Sequence, residues 1–339
     1  MKAPSRFRME PFELLAVVSF VAAVATLRLG GLRVTARTFE FIVRETGLFF
    51  LIALVVGTAL NLLYRLRSRE ALFAYGRVIR SGPWLLSSLR IWASCILLVY
   101  AYSWLKVSIP LLNERVWDAE LARFDQALHG GLSPSRFLVA LFEGTPLLRF
   151  IDWTYALWLP ATLAAFGFFA TFPSPRVRAQ YMFSHVALWT LGVWLYIAMP
   201  AAGPGLAYPG EWLSVRADLP NAVETQAALL RNYGKVVESR RTGVLRAGFN
   251  PSLGVAAMPS LHVAVDWLLY LWCRRRARAL AAFFLAATVV TFLGSVATGW
   301  HYAVDGYVGV AIAQLSFWAS TKVSLDLPDP DEPSPPPLA

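Results

Sequence analysis

Charged residues are scarce in this 339-residue chain: they make up 15% of it, where soluble domains carry roughly 25%. A soluble two-domain enzyme of this length would be left with too little charge to cover its surface, which excludes that class. Cysteine is scarcer still. Cys95 and Cys273 both fall in apolar stretches, so there is neither a disulfide framework nor a thiolate metal pattern. Lysine and histidine occur four times each, and almost all of the positive charge is arginine. What the chain has in excess is hydrophobic residues, 57% of the total, with 13 Trp among them. This excess excludes disorder for most of the length, because disorder needs low hydrophobicity. Aromatic content on this scale suits a protein with two membrane interfaces to anchor. The composition therefore predicts an all-α fold, a polytopic helical bundle in a membrane.

The net charge is +10. In a soluble protein that surplus would point to nucleic acid. In a membrane protein it marks loops that face the cytoplasm and anionic lipid, so no nucleic-acid partner is expected.

A spanning helix needs about 20 mostly apolar residues. Eight stretches qualify: Phe12 to Leu29, Phe39 to Tyr64, Trp84 to Ile109, Arg149 to Thr171, Gln180 to Met199, Ala257 to Cys273, Ala277 to Ala297 and His301 to Thr321. The first also reads as a signal peptide with Ala23-Val24-Ala25 as its cleavage site. A retained helix is preferred, because an even number of spans fits the loop charges. Arg65, Arg67, Arg69, Arg77 and Arg80 follow the second span, Arg176 and Arg178 the fourth, and Arg274, Arg275, Arg276 and Arg278 the sixth. These loops alternate and are expected to be cytoplasmic, with both termini inside. Arg28, Arg33 and Arg37 in the first outer loop weaken that pattern without reversing it.

Three segments are not spans. Residues 112–145 carry Trp117, Leu121, Phe124 and Leu128 at helical spacing between charged residues, which predicts an amphipathic helix on the outer membrane surface. The outer loop 200–256 is too long for a simple connector. The tail from Leu325 is acidic and Pro-rich, and reads as a disordered cytoplasmic end.

Two of the four His begin spans on the same predicted face of the membrane. His262 sits in Pro259-Ser260-Leu261-His262 and His301 in Gly299-Trp300-His301-Tyr302-Ala303-Val304-Asp305. Asp305 lies four residues after His301, so on a helix the two share a face. A carboxylate there holds one imidazole nitrogen and leaves the other nucleophilic. A carboxylate near membrane depth is costly and marks function by default, although a structural pair within a bundle has the same spacing. If His301 attacks phosphorus, the departing alkoxide needs a proton, and His262 is placed to supply it. Pro259 and Ser260 suit a helix N-terminus, where free N–H groups favour a phosphate. A plain helix start with an interfacial His would look the same.

These residues carry a resemblance. Pro259-Ser260-Leu261-His262, followed 39 residues later by His301-Tyr302-x-x-Asp305, resembles the type 2 phosphatidic-acid phosphatase superfamily. Three further stretches are similar to its inositol phosphorylceramide synthase and sphingomyelin synthase branch. They are Trp117-Asp118-Ala119-Glu120-Leu121 with Phe124-Asp125-x-x-Leu128-x-Gly130, then Tyr196-x-x-x-Pro200-x-x-Gly203-Pro204, then Asn250-Pro251. The resemblance covers about residues 85–320 and implies a six-helix catalytic core at 84–322. The two spans of 1–83 precede that core and the tail 323–339 follows it. The resemblance implies His301 as a nucleophile forming a phosphohistidine, Asp305 as its orienting partner and His262 as acid/base, with no metal and no other cofactor.

The sequence departs from the phosphatases in two places. It lacks their Lys-x6-Arg-Pro element, and Ser295 stands where they carry an Arg six residues before the second His. The ceramide branch lacks these basic residues too, which favours transfer over hydrolysis but leaves the phosphate without an obvious cation. Arg240, Arg241 and Arg246 in the outer loop are the candidates, Arg246 being nearest in sequence to His262; a solvated basic loop is the plainer reading of any one of them. Asp266, four residues after His262, either tunes that His or closes a polar seam between helices. The expected substrate-contacting residues are therefore Ser260, Arg246, Tyr302 and Asp266. Two His and two Asp would formally allow a metal, but the spacing matches no metal motif. His185 falls roughly 20 Å from the outer face and reads as structural, and His129 marks a turn. Asp152 and Glu143 lie near the outer face, and nothing in the sequence singles them out.

The reading that follows is an enzyme of the outer leaflet in a bacterial inner membrane. It moves a phospho-headgroup from a phospholipid donor to a lipid-alcohol acceptor such as a ceramide. The alternatives are a lipid phosphate phosphatase and a non-enzymatic scaffold or transporter. A transporter would call for charged groups near mid-membrane and pseudo-symmetric halves, and neither is clear.

Overall fold

The computed structural model describes residues 8–34, 36–241, 244–245, 250 and 253–329. It is all-helical apart from a two-residue parallel pairing of Arg33–Val34 with Val244–Leu245. In chain order the helices are α1 Pro11–Leu29, α2 Ala36–Tyr64, α3 Arg69–Ile79, α4 Gly82–Leu112, α5 Asp118–Leu128, α6 Pro134–Phe142 and α7 Leu147–Ala156. Then come α8 Trp158–Ala170, α9 Pro175–Ala198, α10 Pro204–Ala207, α11 Pro220–Glu238, α12 Leu261–Arg276, α13 Arg278–Ala297 and α14 Ala303–Ser320.

Several starts are written locally. Ser68, Ser81, Ser133 and Ser174 each accept a hydrogen bond from a first-turn N–H of α3, α4, α6 and α9. Ser133 and Ser174 are followed directly by Pro, whose missing N–H costs nothing at that position.

By length and apolarity α1, the Phe39–Tyr64 stretch of α2, α4, α9 and α13 are each able to cross a membrane, and α7 with α8 forms a sixth span bent by 44°. The bend falls at Leu157. Pro160 has no N–H to return to the Ala156 carbonyl, and its ring crowds that oxygen. The remaining two expected spans are α12 and α14, with 16 and 18 residues. They carry His262, Asp266, Asp305 and Gln314 and lie among the other helices, so they need less lipid-compatible surface than α2 or α13.

One apolar core joins α1, α2, α4, α8, α9, α12 and α14. The two N-terminal helices pack directly on the rest, α1 on α4 and α9, α2 on α8 and α4. Ser19 on α1 shares a 2.8 Å hydrogen bond with Thr190 on α9. At the α2–α8 crossing, a Cβ on Gly57 would stand 2.1 Å from the Gly167 backbone, so the close approach needs glycine on both sides.

The segment 112–145 is two short helices, not one. Gly130 and Gly131, both at positive φ, separate α5 from α6. Phe124 and Leu128 face outward as an interfacial helix requires, but Leu121 and two acids, Asp118 and Asp125, are buried. The long connection 200–256 is folded, with α10, α11 and three short 3-10 turns. Trp212, Val215, Leu219 and Ala222 there form a small core with Leu138, Leu148 and Ala297. At the opposite end, the first residues of the C-terminal tail are held: Arg176 donates to the Leu327 carbonyl at 2.7 Å, and Arg276 pairs with Asp329. Residues 330–339 lie outside the described residues.

Candidate active site

α12 and α14 start at the same end of the bundle and are tied together there. The Ser260 N–H, at the cap of α12, donates to the Asp305 carbonyl in the first turn of α14 at 2.9 Å. With the two helix starts joined there, the two histidine rings lie edge-on, centroids 6.1 Å apart and planes at 61°. His301 is 4% exposed and Asp305 is fully buried.

The Nδ1 of His301 lies 3.4 Å from Asp305 Oδ2, within contact but not aligned as a hydrogen bond. Contacts of this kind are commonly loose before substrate is bound. The same oxygen accepts the Tyr302 N–H at 2.9 Å, closing the first turn of α14. Nε2 of His301 makes no hydrogen bond among the described residues, and neither ring nitrogen of His262 does. His262 is half-buried between the rings of Trp158, 4.2 Å away, and Tyr155, 4.8 Å away, and Tyr155 stacks in turn on Trp300. These rings wall the site with apolar surface.

Three acids hold this end in place. Asp118 on α5 accepts the N–H groups of Ala202 and Gly203 at 2.8 and 2.9 Å and the hydroxyl of Tyr302 at 2.9 Å. Asp125, two turns on, accepts the N–H groups of Ala303 and Val304 at 3.1 and 3.0 Å, and so caps α14 from outside its own chain segment. Burial pushes the Asp125 carboxyl above the usual carboxylate range, against the pull of those two donors. Asp152 on α7 does the same for α11, accepting from Asn221 and Ala222. Free N–H groups at helix starts favour such anions.

The expected substrate contacts divide. Ser260 sits beside the histidines, fully buried, and its hydroxyl has no partner. Tyr302 is adjacent, but its hydroxyl is engaged by Asp118. Asp266 lies one turn deeper on α12 and accepts from Trp158 Nε1 at 3.2 Å and Thr291 Oγ1 at 2.6 Å, which places it in the seam between α8, α12 and α13. Arg246 lies outside the described residues, as does the side chain of Arg241. Arg240 is taken up by Glu114 and the Pro110 carbonyl at the end of α4. Ser295, at the position of the missing arginine, is 1% exposed, and its carbonyl receives the N–H groups of Trp300 and His301. No group of three or more His, Cys, Asp or Glu suited to a metal exists among the described residues.

The fold and this end of it define a multi-pass helical membrane protein with paired histidines and a buried carboxylate beside one of them at one mouth of the bundle. The PAP2 superfamily model matches residues 119–319, well over half the chain, and the protein belongs to that superfamily of phosphatases and phosphotransferases. No curated protein and no solved structure matches it.

The three capping acids are what reasoning from sequence missed. Asp118 and Asp125 stood in stretches that carried the expected resemblance, yet their capping task was invisible. Their partners lie more than 80 residues away.

Proposed function

We propose that the protein transfers a phospho-headgroup from a glycerophospholipid to a lipid hydroxyl, such as that of a ceramide, through a phosphohistidine on His301. One observation carries this reading: the rings of His262 and His301 lie 6.1 Å apart while Asp305 stands against the Nδ1 of His301. Nε2 of His301 attacks the donor phosphorus, and the N–P bond forms as the bond to the glycerol oxygen breaks. Protonated His262 gives its proton to that departing oxygen, releasing diacylglycerol. The acceptor hydroxyl then loses its proton to His262 as its oxygen attacks phosphorus, and the N–P bond breaks. Both histidines return to their starting states.

Transfer over hydrolysis is supported by the aromatic lining of the site, where Tyr155 and Trp158 flank His262 and Tyr155 stacks on Trp300. The absence of the phosphatase arginine at Ser295 points the same way. The basic clusters at the opposite end of the bundle support an extracytoplasmic site in a bacterial inner membrane.

The test uses the purified protein in phospholipid nanodiscs with a headgroup-labelled phosphodiester lipid and ceramide. Label should move to ceramide with matching release of diacylglycerol, and His301→Ala should abolish both. Release of inorganic phosphate from phosphatidic acid, with no transfer to ceramide, would replace this reading with a phosphatase.

A further inference from the structure

The reaction proposed above brings an anionic phosphate against two histidines, and the outer-loop arginines do not supply its cation among the described residues. On α9, a Cβ at Gly192 would stand 2.6 Å from the side chain of Leu261, the neighbour of His262, and Tyr196 follows Gly192 by one turn. Lys106 is one of four lysines in the chain and lies on α4, six residues before its end. It therefore sits roughly 9 Å below the last turn, within the span. α4 precedes the segment that the PAP2 superfamily model matches.

A lysine near a helix end ordinarily snorkels outward to water or headgroups. Lys106 is directed elsewhere. Its ammonium lies 5.4 Å from the ring centroid of Tyr196 on α9 and 5.7 Å from that of Tyr102. Tyr196 is 3% exposed, so the side chain points into the bundle. The segment leading to α12 crosses directly over it: a Cβ on Gly254 would stand 2.8 Å from the Lys106 Cγ and 2.9 Å from its carbonyl carbon. Glycine permits that crossing, and Pro110, four residues on, has no N–H to give the Lys106 carbonyl. No carboxylate pairs with the ammonium among the described residues. Cation–π contact offsets part of the cost of a charge at this depth but does not neutralise it. Around His262, the Ser260 and Tyr155 hydroxyls are buried without partners.

We propose that Lys106 is the cation of the phosphate subsite, its ammonium binding the phosphoryl oxygens of the donor while His301 attacks. A compact ammonium suits this task as a point charge that follows the phosphate through both halves of the reaction. The matched superfamily segment would then be completed by a residue from a helix outside it.

This inference rests on the paired-histidine reading, and the experiment separates the two. Binding of inorganic phosphate to the full-length protein in detergent is measured by phosphorus NMR line broadening, with melting temperature as the check on folding. The wild type should bind phosphate, and His301→Ala should weaken that binding. Lys106→Met and Lys106→Gln should weaken it by about tenfold to a hundredfold, the worth of a charge-assisted hydrogen bond, while Lys106→Arg stays within about threefold. In transfer assays the neutral variants should show their loss mainly as a raised donor KM, with Lys106→Arg restoring it. If Lys106→Gln is folded and binds phosphate as the wild type does, while His301→Ala does not, the Lys106 inference fails and the histidine site stands. If Lys106→Arg loses as much as Lys106→Met, charge is not the cause and the inference also fails. If the wild type binds no phosphate, or His301→Ala binds it unchanged, the reading of the site fails and takes this inference with it.

Discussion

The two ends of the bundle differ in which polar groups they leave unpaired. At the end rich in arginine, cations find carbonyl, hydroxyl and aromatic partners, although Arg276 Nε, Trp84 Nε1 and Gln180 Oε1 are buried without one. Arg178, 2% exposed, donates to the Ala170 carbonyl and to Ser88 Oγ, both at 2.8 Å, with its guanidinium over Trp84. Arg65 bonds Asn61 and lies over Tyr75 and Phe172, and Arg176 bonds the Leu327 carbonyl. At the histidine end, Ser260 Oγ, Tyr155 Oη, His301 Nδ1 and Asp305 Oδ1 are all buried without a hydrogen-bond partner. An unpaired buried polar group costs about 1–3 kcal/mol, and four in one place would be a liability in a purely structural seam. One end ties the chain together through its arginines, and the other keeps four unpaired polar atoms on and around its paired histidines.

Substitutions at each end should break this comparison in different measurements. The largest effect expected is on activity at the histidine end. His301→Ala should reduce transfer by about ten-thousandfold or more, with little change in melting temperature. Asp305→Asn should cost about a hundredfold to ten-thousandfold in kcat, because the imidazole loses its orienting charge. A stability loss of about 1 kcal/mol should accompany it, since one oxygen also receives the Tyr302 N–H.

At the arginine end, Arg178→Ala should cost about 3 kcal/mol of stability, read by thermal unfolding in detergent, while kcat of the folded fraction stays unchanged. A large fall in kcat at full stability would erase the distinction between the two ends. Asp118→Ala should sit between these classes. It strands two N–H groups and the Tyr302 hydroxyl, so about 2–3 kcal/mol of stability and a part of kcat should go together.

The smallest effect is a pH dependence. Burial raises the Asp125 carboxyl in the folded protein above its unfolded value, so the folded state holds that proton more tightly. Its contribution to stability is therefore fully present below the unfolded pKa and declines as pH rises through the folded one. Asp125→Asn should remove that part of the decline. An unfolding midpoint with the same pH slope in both proteins would show that the acid does not titrate in this range.

The helices were legible in the sequence because their signals are local: runs of apolar residues, Ser-Pro starts and arginine clusters. The eight expected stretches coincide with seven continuous helices and one bent pair, although α12 and α14 are too short or too polar to qualify by hydropathy alone. The proximity of His262 and His301 was legible because an even number of turns back through the membrane returns both helix starts to one face. The single amphipathic helix expected over 112–145 was not found, because two glycines at positive φ break it and its acids turn inward to distant N–H groups. Asp266 shows the limit of spacing as evidence. Four residues after His262 it shares a helical face with that ring, yet Trp158 and Thr291 claim both its oxygens.

By itself, then, the sequence determined the class, the positions of the helices and the pairing of the two histidines at one end of the bundle. These follow from hydropathy, charge bias and the 3.6-residue turn, which act over a few residues. Only the tertiary structure decided which acids cap which helices, which polar groups stay open, and that a lysine on α4 turns inward against Tyr196. Those outcomes depend on where elements some 80 to 180 residues apart come to cross. In a bundle such crossings are set by close approach of small residues and by burial of N–H groups that must find an acceptor.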